Sequence, residues 1–171
     1  MTVPILKTDR LNIRWITLED APFILNLLNQ PSFLRYIGDK GVRNLQDAVR
    51  YIETGPLASY ERFGFGQFLV VLKNSGVPIG MCGLLKRDTL PDVDIGFAYL
   101  PEYWSQGFAL EAATAVMNYA RADLHLGRIV AITSPDNGSS IKLLGKLGLR
   151  FEQMIKLSED QDEVRLFGTN E

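Results

Sequence analysis

The stretch DIGFAYLPEYWSQGFALEAATAVMNYA, Asp94 to Ala120, constrains this chain most, because it writes a strand, a stop, a turn and a helix in succession. Ile95, Phe97 and Tyr99 alternate with Asp94, Gly96 and Ala98, the period-2 pattern of a half-buried strand. Pro101 donates no ladder hydrogen bond and ends that strand. A short turn from Glu102 to Gln106 reaches Gly107. Beyond it Ala109, Ala112, Ala113, Val116 and Ala120 share one helical stripe, with Glu111, Thr114, Asn118 and Arg121 opposite. The first amides of a helix have no partner within it, and the peptide dipoles place partial positive charge there. A strand feeding a glycine turn and a helix therefore makes an anion site, and Gly107, lacking a Cβ, lets a phosphate approach the backbone. The same residues also suit an ordinary strand-to-helix connection whose glycine only makes the turn. Taken alone they leave both readings open.

The flanking sequence sets the architecture. Leu11 to Ile16 alternates as a first strand, and LEDAPFILNLLNQ follows as a helix with Phe23, Leu27 and Leu28 on one stripe. Pro31 is expected to close that helix and Ser32 to Arg43 to form a loop, packed down by Phe33, Leu34, Tyr36 and Ile37. Asn44 is a suitable N-cap for a helix from Leu45 to Tyr60, kinked at Gly55-Pro56. Phe65 to Leu72 and Pro78 to Leu85 read as a hairpin joined at Lys73-Asn74-Ser75-Gly76. After the central helix, Arg128 to Thr133 is a continuous apolar strand, buried on both faces. A turn at Pro135-Asp136-Asn137-Gly138 then opens a short helix, Ser139 to Leu147, ended by Gly148. The last strands are Leu149 to Lys156 and Glu163 to Gly168, with Glu159, Asp160 and Asp162 at a solvated tip between them. Antiparallel strands followed by a strand-helix-strand unit give a mixed α/β sheet, not a doubly wound one.

At 171 residues the chain has room for one domain, 1–171, with a full core. Its net charge of −2 lacks the basic field of a nucleic-acid binder. One cysteine, Cys82, lies in an apolar run and reads as a buried hydrophobe; with one histidine, His125, it cannot build a zinc site. No disulfide can form within the chain, the start MTVPILKTDR has no apolar core of a signal peptide, and no apolar run approaches a membrane span. The expectation is a cytoplasmic protein without metal, nucleic-acid or membrane partners.

WSQGFALEA, Trp104 to Ala112, resembles the acyl-CoA-binding signature of the GNAT superfamily of N-acetyltransferases, written Q/R-x-x-G-x-G/A. Gly107 and Ala109 match its last two positions, and Trp104 stands where Gln or Arg is usual. DIGFAYLPEYW and the opening TDRLNIRWITLEDA are similar to the branch that acetylates N-terminal amines of ribosomal proteins, RimJ/RimL-like enzymes. NGSSIKLLGKLGLRF, Asn137 to Phe151, resembles the family's second signature, with Leu149 where Phe is common.

The resemblance implies a mixed sheet of about seven strands, antiparallel at its N-terminal side, flanked by about four helices, with strands four and five splayed. It implies acetyl transfer from acetyl-CoA to a primary amine by direct attack in a ternary complex. The amides of Gln106, Gly107, Phe108, Ala109 and Leu110 would hold the pyrophosphate. The pantetheine arm would lie along Phe97, Ala98, Tyr99 and Leu100 like an added strand and meet Asn137. A backbone N–H near Ala98 or Tyr99 would polarise the thioester carbonyl, and Ser140 would protonate the leaving thiolate. Asp94 stands where the family commonly has a glutamate; one methylene shorter, it would take the amine's proton through a water, or else pair with an arginine at the strand edge. The implied acceptor is a protein N-terminal amine. A small amine such as a polyamine, amino acid or antibiotic, and a non-catalytic acyl-CoA sensor, remain as alternatives.

Overall fold

A computed structural model describes residues 3–170, which form one eight-stranded sheet in the order β1-β2-β3-β4-β5-β6-β8-β7. The strands are β1 (Leu6–Lys7), β2 (Leu11–Trp15), β3 (Gln67–Leu72), β4 (Pro78–Leu85), β5 (Val93–Tyr99), β6 (Ile129–Thr133), β7 (Arg150–Ile155) and β8 (Val164–Gly168). Six α-helices accompany them: α1 (Ala21–Leu28), α2 (Pro31–Tyr36), α3 (Leu45–Ile52), α4 (Ala58–Phe63), α5 (Phe108–Ala122) and α6 (Gly138–Lys146). All strand neighbours pair antiparallel except β5 and β6, which run parallel because α5 carries the chain from one to the other.

The period-2 alternation of β5 decides what each face of the sheet meets. Ile95 and Tyr99 join Phe68, Cys82 and Ile129 in the core beneath α5, whose Ala112, Ala113, Val116 and Ala120 allow close approach. On the other face Leu69, Met81 and Leu100 pack against Ile24 and Leu27 of α1, Phe33 of α2, and Ala48 and Ile52 of α3. Past β5 this second face carries, among the described residues, a small cluster of Val130 and Leu166 under Leu90 of the β4–β5 turn.

Two expectations need correction. Pro31 does not lead into a loop; it occupies the first turn of α2, where its fixed φ fits and its missing N–H costs nothing. The sheet also gains a two-residue edge strand, β1, too short to register as an alternating run. The expected kink at Gly55-Pro56 is present as a π-helical turn, Glu53–Leu57, between α3 and α4, which accommodates the proline without ending the helix. Asn44 caps α3, its side chain accepting from the Asp47 N–H at 2.8 Å. Pro101 does end β5, and opens a 3-10 turn, Pro101–Tyr103.

Candidate active site

The turn before α5 is built to leave amides free. Ser105 and Gly107 both adopt positive φ, 61° and 84°, which lifts the chain out of β5 and starts the helix without a side-chain cap. The first helical bond is Glu111 N–H to Gly107 O at 3.0 Å. The amides from Gln106 to Leu110 therefore find no acceptor among the described residues. Arg10, which sequence reasoning passed over, holds this turn in place. Its Nε donates to Glu111 Oε1 at 2.8 Å, its Nη1 to Gln106 O at 3.0 Å, and the guanidinium lies 4.2 Å from the Phe108 ring centre. A fixed cation beside a row of free amides and a helix N-terminus favours an anion there. Trp104, half exposed, donates its indole N–H to Tyr99 O at 3.0 Å and ties the turn back to the strand.

β5 opens away from β6 immediately above Asp94. The two strands pair only at Val93↔Ile129 and Asp94↔Val130, whereas β5 follows β4 from Leu85↔Asp94 to Gly80↔Tyr99. Leu100 N–H donates to Ile79 O at 3.0 Å, continuing that ladder. In an antiparallel pair, residues alternate between bonding one neighbour and the other. Gly96, Ala98 and Leu100 thus turn their backbone groups to β4, and Phe97 and Tyr99 turn theirs into the wedge. Of the four residues expected along an added strand, Phe97 and Tyr99 face the opening; Ala98 and Leu100 do not. Tyr99 O is already taken by Trp104, which leaves Tyr99 N–H and both groups of Phe97.

Asp94 lies at the closed vertex of the wedge, its side chain 1% exposed, on the face toward α3. Arg87 Nε donates to its Oδ1 at 3.0 Å, so the arginine at the strand edge exists. Asp94 Oδ2 is buried without a partner among the described residues. Burial raises the carboxyl above its ordinary range, with Arg87 working against that rise. Two residues along, Gly96 makes room for the Gln67 amide, whose Nε2 lies 2.9 Å from where a Cβ would stand. Gln67 Oε1 is a second buried oxygen on this face without a donor among the described residues. Such acceptors each cost about 1–3 kcal/mol unless a donor reaches them, so the floor of this face favours a bound donor.

The far wall of the wedge is the loop from β6 into α6. Asn137 caps α6, its Oδ1 accepting from Ser140 N–H at 3.2 Å, and the Ser140 hydroxyl makes no hydrogen bond among the described residues. Cap and ligand contact are compatible, because the cap uses Oδ1 and leaves the amide NH₂ unengaged. Arg35 of α2 reaches across to Asp136 at 3.3 Å, so the helices of the second face touch this wall.

A strand pair thus parts beside a row of free amides. The family model for the acetyltransferase (GNAT) domain matches residues 10–150. The chain belongs to the GNAT acetyltransferase family. It is 31% identical over 154 residues to the uncharacterized N-acetyltransferase YoaA of Bacillus subtilis (strain 168), covering 90% of this chain and 86% of that one. An acetyltransferase structure from Agrobacterium tumefaciens superposes with TM-score 0.83 at 23% identity, covering 100% and 96% of the two chains. The ribosomal-protein-S5-alanine acetyltransferase of Vibrio fischeri superposes with TM-score 0.78 at 20% identity, covering 96% and 94%. Proteins of the GNAT family use acetyl-CoA as cosubstrate. The free amides at α5 and the open edge of β5 fit its pyrophosphate and its amide-bearing arm.

Proposed function

We propose that this GNAT enzyme acetylates the N-terminal amine of a protein or peptide, entering from the α1–α3 face of the sheet. The reading rests on the wedge between β5 and β6, which leaves Phe97 and Tyr99 facing outward beside the unpaired amides of α5. Acetyl-CoA supplies an acetyl group activated as a thioester on a good leaving thiol. Gln106 to Leu110 bind its pyrophosphate, with Arg10 holding their turn. Phe97 offers N–H and C=O to the pantetheine amides, and Tyr99 N–H points to where the carbonyl oxygen gains charge. Asn137 and Ser140 face the arm from the other wall, with the serine hydroxyl placed to give a proton to sulfur. Asp94, its carboxyl raised by burial, takes the amine's proton through a water held by Oδ2 and Gln67 Oε1.

Similarity to the ribosomal-protein acetyltransferases and to their opening and fourth-strand sequences supports an N-terminal amine. A polyamine is disfavoured by the cations on the acceptor face, Arg87 and Lys86. Release of free thiol from acetyl-CoA, measured with free-N-terminus peptides, polyamines and aminoglycosides, tests the reading. Peptides should turn over, and Ser140→Ala should slow them by about tenfold without loss of cofactor binding. Turnover on polyamines alone would reassign the acceptor, and cofactor binding with no turnover on any amine would favour a sensor.

A further inference from the structure

The buried pair at the wedge vertex is only half made. Arg87 meets Asp94 through Nε alone, at 3.0 Å, and neither Nη has a partner among the described residues. Its side chain is 33% exposed, so the guanidinium is partly withdrawn from water while its fork points elsewhere than at Asp94. A guanidinium fork is shaped for a planar anion, and a carboxylate behind its Nε fixes its orientation.

Three segments bring their polar groups to this corner. Lys86, whose ammonium bonds the backbone carbonyls of Arg87 and Leu90, precedes it on the chain. Lys40, from the loop between α2 and α3, has the pKa of its ammonium pushed down chiefly by burial and further by the positive charge of Arg87. Its ammonium makes no ion pair among the described residues. Tyr51 of α3 is packed beside them, and the positive charge of Arg87 offsets part of the rise that burial gives its phenol. The nearest acid in the loop, Asp39, is committed to Arg43. Cations thus outnumber the one buried carboxylate, in a protein whose net charge is −2.

We propose that Arg87, oriented by Asp94 and assisted by Lys40, recognises an anionic group carried by the acceptor close to its amine. The inference rests on the acetyltransferase reading and narrows its substrate class to amines bearing a carboxylate or phosphate. An amine bonded to the water on Asp94 and Gln67, with its anion on Arg87, uses both orphaned features of the corner at once: the donorless oxygens and the unused fork. A free α-amino acid, an acidic residue next to a peptide N-terminus and a phosphorylated small amine share that chemistry.

Matched pairs separate these sources: alanine against alaninamide, an Ala-Asp peptide against Ala-Asn, and phosphoethanolamine against ethanolamine. Each is run for thiol release and, independently of turnover, for calorimetric binding to the enzyme saturated with coenzyme A. Wild type should favour the charged member of at least one pair by about tenfold or more. Arg87→Gln should abolish that preference, chiefly through KM, Arg87→Lys should keep part of it, and Lys40→Ala should lower it a few-fold. Melting curves and acetyl-CoA affinity confirm that each variant is folded. Equal treatment of charged and neutral members by wild type, or an undiminished preference in Arg87→Gln, overturns the proposal. With neutral amines still acetylated, the acetyltransferase reading survives that result; failure of wild type to bind acetyl-CoA would sink that reading, and this proposal with it.

Discussion

Cys82 sits on β4 beneath α5 with no exposed surface, and burial pushes its thiol up to about 12. The thiolate is the reactive species, so the folded protein offers none at ordinary pH. The sign for stability follows from the raised value. Below about 9 both states keep the proton and the contribution is fully present; as pH rises toward about 12, the unfolded chain ionises first. Stability is then lost by up to about 1.4 kcal/mol per pH unit from this group. Tyr60, also raised by burial, extends the loss to still higher pH. Urea unfolding between pH 8 and 11 should show this decline, shallower in Cys82→Ala. A thiol reagent at pH 8 should label the native protein only as fast as it unfolds, and labelling at the rate of a free thiol would contradict the burial argument.

The alternation along β5 decides which amides the wedge leaves unpaired, and hydrogen exchange can read it residue by residue. Amides of Gly96, Ala98 and Leu100 bond to β4 and should exchange slowly whether or not cofactor is present. Those of Phe97 and Tyr99 face the wedge and should exchange quickly, then slow markedly when acetyl-CoA is added. Slow exchange at Phe97 and Tyr99 in the free protein would mean the wedge is not open. Much of this element was legible in the sequence. The period-2 run, Pro101 and the stripe after Gly107 carry local signals that chain neighbours alone decide. Which side of β5 stays free was not legible, because it depends on its pairing with β4 and its early parting from β6. Pro31 was misread because proline both follows helices and starts them, and only the packing of Phe33 into the core settles which. Arg10 was invisible as a site residue since its partner Glu111 lies 101 residues away. The roles proposed for Asn137 and Ser140 come only from the resemblance; their local signal, and their observed bond, is that of a helix cap.

At the scale of the whole molecule, the sheet is two blocks joined across a seam. β1 to β5 form one and β6, β8 and β7 the other, and backbone pairing across the seam is confined to Val93↔Ile129 and Asp94↔Val130. α5 spans the seam from the core side, and the Arg35–Asp136 pair crosses the other face, though at 66% and 58% exposure it contributes little. A ligand lying in the wedge supplies to both blocks the contacts they do not make with each other, and it does so only in the folded state. Acetyl-CoA at 100 times its Kd should therefore stabilise the protein by about 2.7 kcal/mol. For a chain of this size that corresponds to a Tm rise of about 5–10 °C. The rise should depend on the α5 start as well as on the wedge. Gly107 holds φ at 84°, and a Cβ there would stand 3.2 Å from Arg10 Nη2. Gly107→Ala should strain the turn, turn amides away from the pyrophosphate and shrink the cofactor-induced shift more than it lowers the Tm of the free protein. A full shift retained in Gly107→Ala would remove the α5 start from the binding site, and no shift in the wild type would remove the wedge itself.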